Sequence, residues 1–461
     1  MTLTLEPVSS PATLPAGGDN PDCFDWKEVW YPVAYLEDLA KTKPITFTLL
    51  EQNLVIWWDA QGNTWRAFQD VCPHRLAPLS EGRINEQGWL ECPYHGWQFS
   101  GEGHCERIPQ EAPGGKAYSS QRACVKSFPT QVAQGLLFVY GGTPARSAQT
   151  PLPLVDVLQE PLEDWVCLNT FRDLPYDALT LMENVLDSSH IPYTHHRTVG
   201  DRANVSSVEL EILQSDRQGF KGTWAEGPRR GKLGRQDTVF IAPSLMWHDL
   251  TSQQFGRTLT VVYATPTRKG ECRLFARFPF KFPSKFPRLV MKLTPQWYTH
   301  LGQNRILEDD QIFLHWQERY LEQRGGSGKY AQACYLPTKA DLFVSELRQW
   351  VTTYQAESFP AQSLAPALTP EQLLDRYHSH TEKCASCRGA LTRLQQIRQL
   401  SLWTGAIAVS SLPLLVLGGL QGWGWGLGVS SLLGLSLATY FGLGQFQRSF
   451  YQGPPIPPRN Q

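Results

Sequence analysis

Two short units carry the residues best suited to chemistry: Cys72-Pro73-His74 and, seventeen residues later, Cys92-Pro93-Tyr94-His95-Gly96-Trp97. Each sets a thiol and an imidazole one or two residues apart on a turn opened by proline, so two such loops can close on one inorganic centre from opposite sides. Two thiolates on one iron and two imidazoles on the other make the ligand set of a histidine-containing [2Fe–2S] cluster. Zinc competes for two Cys and two His, but zinc units place like ligands together, Cys with Cys and His with His. Replacing thiolates with neutral imidazoles lowers the negative charge and puts the potential at roughly −150 to +300 mV. Cys72, His74, Cys92 and His95 are the candidate cluster ligands.

A second constellation runs Glu183-Asn184-Val185-Leu186-Asp187-Ser188-Ser189-His190-Ile191-Pro192-Tyr193-Thr194-His195-His196. Two histidines and one carboxylate on one face of a ferrous ion leave positions open for O2 and substrate. Asp187 and His190, three apart, share a face if the segment is helical. Pro192 would end or bend that helix and let His195 return to the same metal. Further along, the segment Asn304–Glu318 carries an acidic trio, Glu308, Asp309 and Asp310. Ile306, Leu307, Phe313 and Leu314 in that segment predict a helix with an apolar buried face.

The elements that must position these residues follow from pattern. The 461 residues exceed one ordinary core, and 41% apolar content with sixteen Trp fits a globular protein with aromatic-lined pockets. From residue 24 to 141, short apolar runs between Gly, Pro, Asn and Asp turns predict an all-β unit. From 151 to 340, strand-like stretches such as Thr258–Tyr263 alternate with helical candidates at 176–190 and 304–323, predicting an α+β domain with an antiparallel sheet. Residues 341–398 read as a helical linker, 1–23 as a disordered lead-in and 447–461 as a tail. Ten cysteines are too sparse for a disulfide scaffold and imply a reducing compartment. With 42 basic against 43 acidic residues, no overall field favours nucleic acid, and no nucleic-acid partner is expected.

No charge occurs between Arg398 and Arg448, and residues 399–446 divide at Leu420-Gln421-Gly422 into two apolar pieces, each near the length of about 20 residues that spans a bilayer. A transmembrane helical hairpin is the expectation. Its flanking Arg388, Arg393, Arg398 and Arg448 put both ends, and the soluble domains, on the cytoplasmic or stromal side. Glycines 422, 424, 426 and 428 predict close helix approach. No dinucleotide or phosphate loop is present: Gly325-Gly326-Ser327-Gly328-Lys329-Tyr330 fails the pattern, so electrons come from an external donor.

With both motifs in view, the chain resembles the Rieske non-haem iron oxygenases over roughly residues 26 to 340. The resemblance implies that His190 and His195 bind the catalytic iron and that Asp310 is the third ligand, with Asp309 as the alternative. It also implies that Asp187 links the iron to cluster ligand His95 of a neighbouring subunit in a homotrimer. Ala77 and Tyr94 stand where electron-transport Rieske proteins carry an additional disulfide, so the cluster resembles the low-potential oxygenase type.

His378-Ser379-His380-Thr381-Glu382-Lys383-Cys384-Ala385-Ser386-Cys387, the paired apolar segments and the Asn304–Arg319 segment look like the pheophorbide a oxygenase group. That group includes lethal-leaf-spot cell-death suppressors and two chloroplast translocon components. The implied activity is ferredoxin-dependent oxygenation of a chlorophyll-derived tetrapyrrole in chlorophyll catabolism. The implied place is the thylakoid or plasma membrane of a cyanobacterium, or a chloroplast membrane. The lack of an Arg- and Ser-rich leader favours the cyanobacterium. Cys384 and Cys387 read as a redox dithiol for thioredoxin-like partners, with a zinc site including His378 or His380 as a second reading. The competing function is a membrane-anchored, thioredoxin-linked redox sensor or translocon-associated Rieske protein.

Overall fold

A computed structural model describes residues 23–158, 164–227, 233–252, 256–360, 362–418 and 423–461. Residues 1–22 of the expected lead-in, and the Leu420-Gln421-Gly422 break with Gly422, lie outside the described residues.

The N-terminal unit is all-β, as its short alternating runs predict. Strands Trp30–Tyr35, Leu136–Tyr140 and Thr130–Ala133 form one sheet, and Ile45–Leu49, Gln52–Asp59, Thr64–Gln69 and Ser127–Phe128 a second. A third, made of Arg83–Ile84, Leu90–Glu91, Gln98–Phe99 and Cys105–Arg107, carries the second Cys/His loop between two of its strands. Cys72 and Cys92 are buried in a small apolar core with Trp57, Phe68, Leu90 and Phe99.

The middle of the chain is a seven-stranded antiparallel sheet. In spatial order its strands are Val166–Leu174, Glu271–Lys281, Gly256–Arg268, Leu245–Ser252, Gln236–Ile241, Gly219–Trp224 and Leu210–Asp216. Side chains alternate between faces along each strand. Val262, Ala264 and Phe240 therefore enter one core with Met182, Leu347 and Trp350. Leu259, Val261, Tyr263, Val239 and Ile241 enter another, with Phe138, Tyr140, Leu391 and Phe450. The first core seats helices Ala178–Leu186 and Leu342–Thr353, and the second joins the N-terminal strands to the C-terminal segment.

The expected helix at 176–190 is shorter than predicted. It ends at Leu186, and Asp187, in extended backbone, caps both that helix and a tight turn over Ser188–His190. The Asp187 carboxylate accepts from the Ser189 amide at 2.7 Å and hydroxyl at 2.6 Å, a local bond that competes with helix continuation. Pro192 does not stop a helix; it sits in the first turn of the short helix Ile191–Thr194, where its missing N–H costs nothing.

The helix expected at 304–323 begins earlier and spans Gln296–Gln323. Its buried face is mostly polar: of the expected apolar residues Leu314 is buried and Leu307 packs on the core, but His300, Asn304, Glu308, Gln311, His315 and Glu318 turn inward beside them, while Phe313 faces out with Trp316 and Tyr320. Ion pairing makes that burial tolerable. Glu308 receives Arg172 at 2.8 Å and both arms of Arg376 at 2.6 Å, clamping the helix between the edge strand Val166–Leu174 and the segment before Tyr377.

At the C-terminus, helices Ala385–Leu417 and Trp423–Arg448 pack antiparallel, with Arg398 Nε donating to the Tyr440 carbonyl at 3.1 Å. Among the described residues one helix, Trp423–Arg448, with mean hydropathy 1.4, is long and apolar enough to cross a membrane, where two spans were expected. The glycines at the helix contact also differ from expectation. Gly424, Gly426 and Gly428 face open space, while Gly405 lies against Ser436 and Gly444 against Arg398.

Candidate metal centres

The two cluster loops are built alike. In the first, the Cys72 amide donates to the Ala77 carbonyl and the Leu76 amide to that of Cys72; in the second, Cys92 donates to Trp97 and Gly96 to Cys92. The fourth residue after each cysteine takes positive φ, +60° at Leu76 and +69° at Gly96. Leu76 adopts without a glycine what Gly96 adopts freely, which is strain held at a site where the loop must turn. Like ligands pair: the Cys72 and Cys92 thiols are close enough to affect each other's ionisation, and the His74 and His95 rings lie 4.5 Å apart between centroids. Trp97 stacks on His74 at 4.7 Å.

Two sulfurs in one pair and two rings in another fit a diiron cluster better than one ion. Burial pushes the Cys72 thiol up to about 12, so a thiolate there depends on cationic charge such as iron supplies. His74 is exposed and His95 half-buried, so the imidazole side faces the surface.

The second centre gathers residues from two elements. His190 and His195 come from the turns after helix Ala178–Leu186, and Asp310 comes from the long polar helix. His190 Nε2 lies 3.3 Å from His195 Nε2, and Asp310 oxygens lie 3.9 and 3.3 Å from the two nitrogens. The far nitrogens are engaged elsewhere: His190 Nδ1 donates to the Asp187 carbonyl, and His195 Nδ1 faces Asp309 at 3.4 Å. Each outer partner only accepts, so each Nδ1 carries the proton and both Nε2 lone pairs point at each other and at a carboxylate. Three electron-rich atoms converge with no proton among them. A divalent cation fits that triangle.

Burial raises the Asp310 carboxyl above its ordinary range, opposed by His190 and His195, which again marks a deficit of positive charge.

Asp309 and Asp310 thus face the site differently. Asp310 stands beside the Nε2 atoms, while Asp309 lies behind His195 and also accepts from Thr198 Oγ1 at 2.7 Å. Helix Ala178–Leu186 is held by Glu183, which receives Tyr330 at 2.6 Å, Arg348 Nε at 2.8 Å and Gln317, on the Asp310 helix, at 3.1 Å. Pattern reading missed His248. Its Nε2 donates to the Val185 carbonyl at 2.8 Å and its Nδ1 meets Thr238 Oγ1 at 2.8 Å, and burial lowers its pKa to about 4. A lone His in a strand carries no local signal.

Asp187 and His95, expected to bridge two centres, have separate surroundings within one chain. Asp187 keeps to Ser189 and His190, and the His95 ring to His74 and Tyr94. Cys384 and Cys387 come together but are 1% exposed each. Their neighbours are His300 and His380. His378 points outward and bonds Asp375 at 2.6 Å. His300, 84 residues before Cys384, was not expected there.

Comparison with known proteins agrees with this architecture. Residues 29–129 match the family model described as Rieske [2Fe-2S] domain, and 240–327 that described as Pheophorbide a oxygenase. A chloroplastic pheophorbide a oxygenase of Oryza sativa subsp. japonica is 37% identical over 420 residues, covering 84% of this chain and 77% of that protein. A chloroplastic flavonoid 8-hydroxylase 2 of Ocimum basilicum is 35% identical over 425 residues, covering 85% and 78%. Among solved structures, NdmB of Pseudomonas putida CBB5 superposes with a TM-score of 0.57 at 22% identity, covering 71% of this chain and 90% of that one, a likeness of fold.

Proposed function

Because this chain belongs to the pheophorbide a oxygenase family of Rieske-type iron oxygenases, we propose that it inserts oxygen from O2 into a chlorophyll-derived tetrapyrrole such as pheophorbide a or chlorophyllide. The observation that carries this reading is the His190, His195 and Asp310 triangle, a group of three ligand atoms to which no fourth His, Cys, Asp or Glu is added among the described residues. When bound, the cluster supplies electrons one at a time and a ferrous ion activates O2, one atom going to substrate and the other to water.

The chain's own residues do the rest. Cys72 and Cys92 would hold one iron of the cluster and His74 and His95 the other. Asp309 and the Asp187 carbonyl fix the tautomers of His195 and His190, keeping Nε2 basic toward the metal. Asp187, with a side chain 29% exposed, remains open to His95 of a neighbouring chain, which supports a trimer in which each cluster serves the next chain's iron. The exposed His74 suits docking of a ferredoxin.

Membrane attachment through the C-terminal hairpin belongs to the same reading. Trp403, Ile407, Trp425, Leu427 and Phe441 expose apolar surface along it. Helix Lys285–Leu293 adds an amphipathic element, with Phe286, Leu289, Val290 and Leu293 exposed on one face and Lys285, Arg288 and Lys292 beside them, the composition of a helix lying in a membrane interface. A chloroplast or thylakoid membrane, with the catalytic domains on the stromal or cytoplasmic side, fits the chloroplastic relatives. A thioredoxin-linked role for Cys384 and Cys387 requires local opening, since both sulfurs are buried.

The test supplies reduced ferredoxin and isotopically labelled O2 to the purified protein with pheophorbide a, chlorophyllide a or a flavone. Label is expected in a macrocycle product. Label in the flavone alone overturns the substrate class, and label in none, with the cluster intact, overturns the oxygenase reading.

A further inference from the structure

His300, His380, Cys384 and Cys387 form a second ligand set away from the iron triangle, with exposures of 2%, 0%, 1% and 1%. Their ligand atoms lie within 4.8 Å of one another. Cys384 Sγ is 3.5 Å and Cys387 Sγ 3.4 Å from His300 Nδ1, Cys387 Sγ is 3.3 Å from His380 Nε2, and the two nitrogens are 3.1 Å apart. With metal–sulfur bonds of about 2.3 Å and metal–nitrogen bonds of about 2.0–2.1 Å, a tetrahedral site has edges of about 3.3–3.8 Å. The four observed edges, 3.1–3.5 Å, are close to those of one ion. A diiron cluster, which puts thiols and rings on separate irons, has no room here.

The tautomers point the same way. His300 Nε2 lies 2.8 Å from the Asn169 carbonyl oxygen, and His380 Nδ1 lies 2.7 Å from that of Phe171. A carbonyl only accepts, so these nitrogens carry the protons and the inward nitrogens are bare lone pairs facing each other. Without an ion only the weak S–H donors of Cys384 and Cys387 face these lone pairs; a cation satisfies all four atoms at once. Ligating histidines characteristically donate their other N–H to such a carbonyl. Two thiolates, two neutral imidazoles and a divalent cation sum to zero charge, the only net charge that this burial tolerates cheaply.

We propose that these four residues bind a single structural zinc ion. All four positions are filled by protein, so the site is closed rather than catalytic. The ion joins three parts of the fold: the polar helix Gln296–Gln323, the tight helical turn Tyr377–Thr381, and the start of helix Ala385–Leu417. Asp38 completes the last of these by accepting from the Ala385 amide at 2.6 Å. The same helix carries His300 and Asp310, about 15 Å apart along its axis, so the zinc anchors the C-terminal hairpin to the element that also serves the iron. Cys384 and Cys387 are then metal ligands in the resting protein and not a free dithiol.

The full-length chain, purified anaerobically in detergent, is assayed by elemental analysis and zinc K-edge absorption. One zinc per chain is expected beside the iron, with two sulfurs at about 2.3 Å and two nitrogens at about 2.0–2.1 Å. His300→Gln and Cys384→Ser should each lower zinc to below about a tenth of an equivalent, while His378→Ala retains it. The cluster's paramagnetic resonance should survive in all three, which separates failure of this proposal from failure of the oxygenase reading. If the two ligand variants do not fold, the wild-type metal count and shell decide. Wild-type protein without zinc, with Cys384 and Cys387 alkylated in the folded state or joined as a disulfide, overturns the proposal. So does a zinc shell lacking sulfur, or iron in its place.

Discussion

Cys72, His74, Cys92 and His95 stand on two loops whose imidazoles reach the surface, with sulfurs in one pair and rings in another. Cys384, Cys387, His300 and His380 are the same residue types, but they are buried and their sulfurs and nitrogens interleave. On the proposed assignments a Cys2His2 inventory does not specify a metal. Spacing between unlike ligands would separate two irons from one ion, and exposure a centre that exchanges electrons from one that holds the fold. Neither property can be read from ligand identity.

The largest expected effect that would break the comparison comes from Cys92→Ser. It should remove the visible and paramagnetic signals of the cluster and lower oxygenase activity by more than about 100-fold, beyond the range of outer-shell changes, while bound zinc stays at the wild-type level. Simultaneous loss of zinc would mean that the two sites are not independent.

Next, Asp310→Ala should abolish binding of the mononuclear iron, leaving about two irons per chain by the family stoichiometry. Asp309→Asn should lower activity by about 10–100-fold through the orientation of His195. Iron counts on the two variants test this order, and equal loss from both would dissolve the distinction between ligand and support.

Glu308 lies between the two mononuclear sites on one helix. Glu308→Gln leaves Arg172 and Arg376 buried without their counter-charge, which should cost about 3–5 kcal/mol in chemical denaturation. It should weaken iron and zinc retention together. Retention of both at wild-type stability would show that the helix is held by other contacts.

The smallest effect sharpens the iron side alone. Burial holds His248 near about 4 in the folded protein, against an ordinary value near 6.5. Between those values the unfolded chain binds the extra proton, so stability is complete above about pH 6.5 and declines as pH falls towards 4. From pH 7 to 5 the loss should be about 2 kcal/mol, read as a shift in urea midpoint. His248→Gln should flatten that dependence, and an unchanged slope would assign it to other groups.

Both cluster loops and the His190–His195 pair were legible because each set lies within a few residues of backbone, where turn geometry and proline limit the options. The seven-stranded sheet followed from alternation and turn signals. The Gln296–Gln323 helix was legible as a helix and only in part in its orientation. Apolar periodicity put Leu307 and Leu314 inward, as observed, but it carries no signal for Glu308, whose ion pairs with arginines bury charge on the same helix. The hairpin glycines misled for a related reason: small-residue spacing marks a face that can approach a neighbour, and only the packed pair decides that Gly405 and Gly444 are the ones that do.

By itself the chain's order of residues determined the cluster motif, the pairing of His190 with His195 and the uncharged C-terminal stretch, since each is a property of neighbours along the backbone. Tertiary structure alone decided that Asp310 faces the Nε2 atoms while Asp309 stands behind, a matter of helix rotation by one residue. It alone brought His300 to Cys384 and Cys387 across 84 and 87 positions. Contacts of that length depend on how helix, strand and turn pack, and no local preference of the residues encodes them.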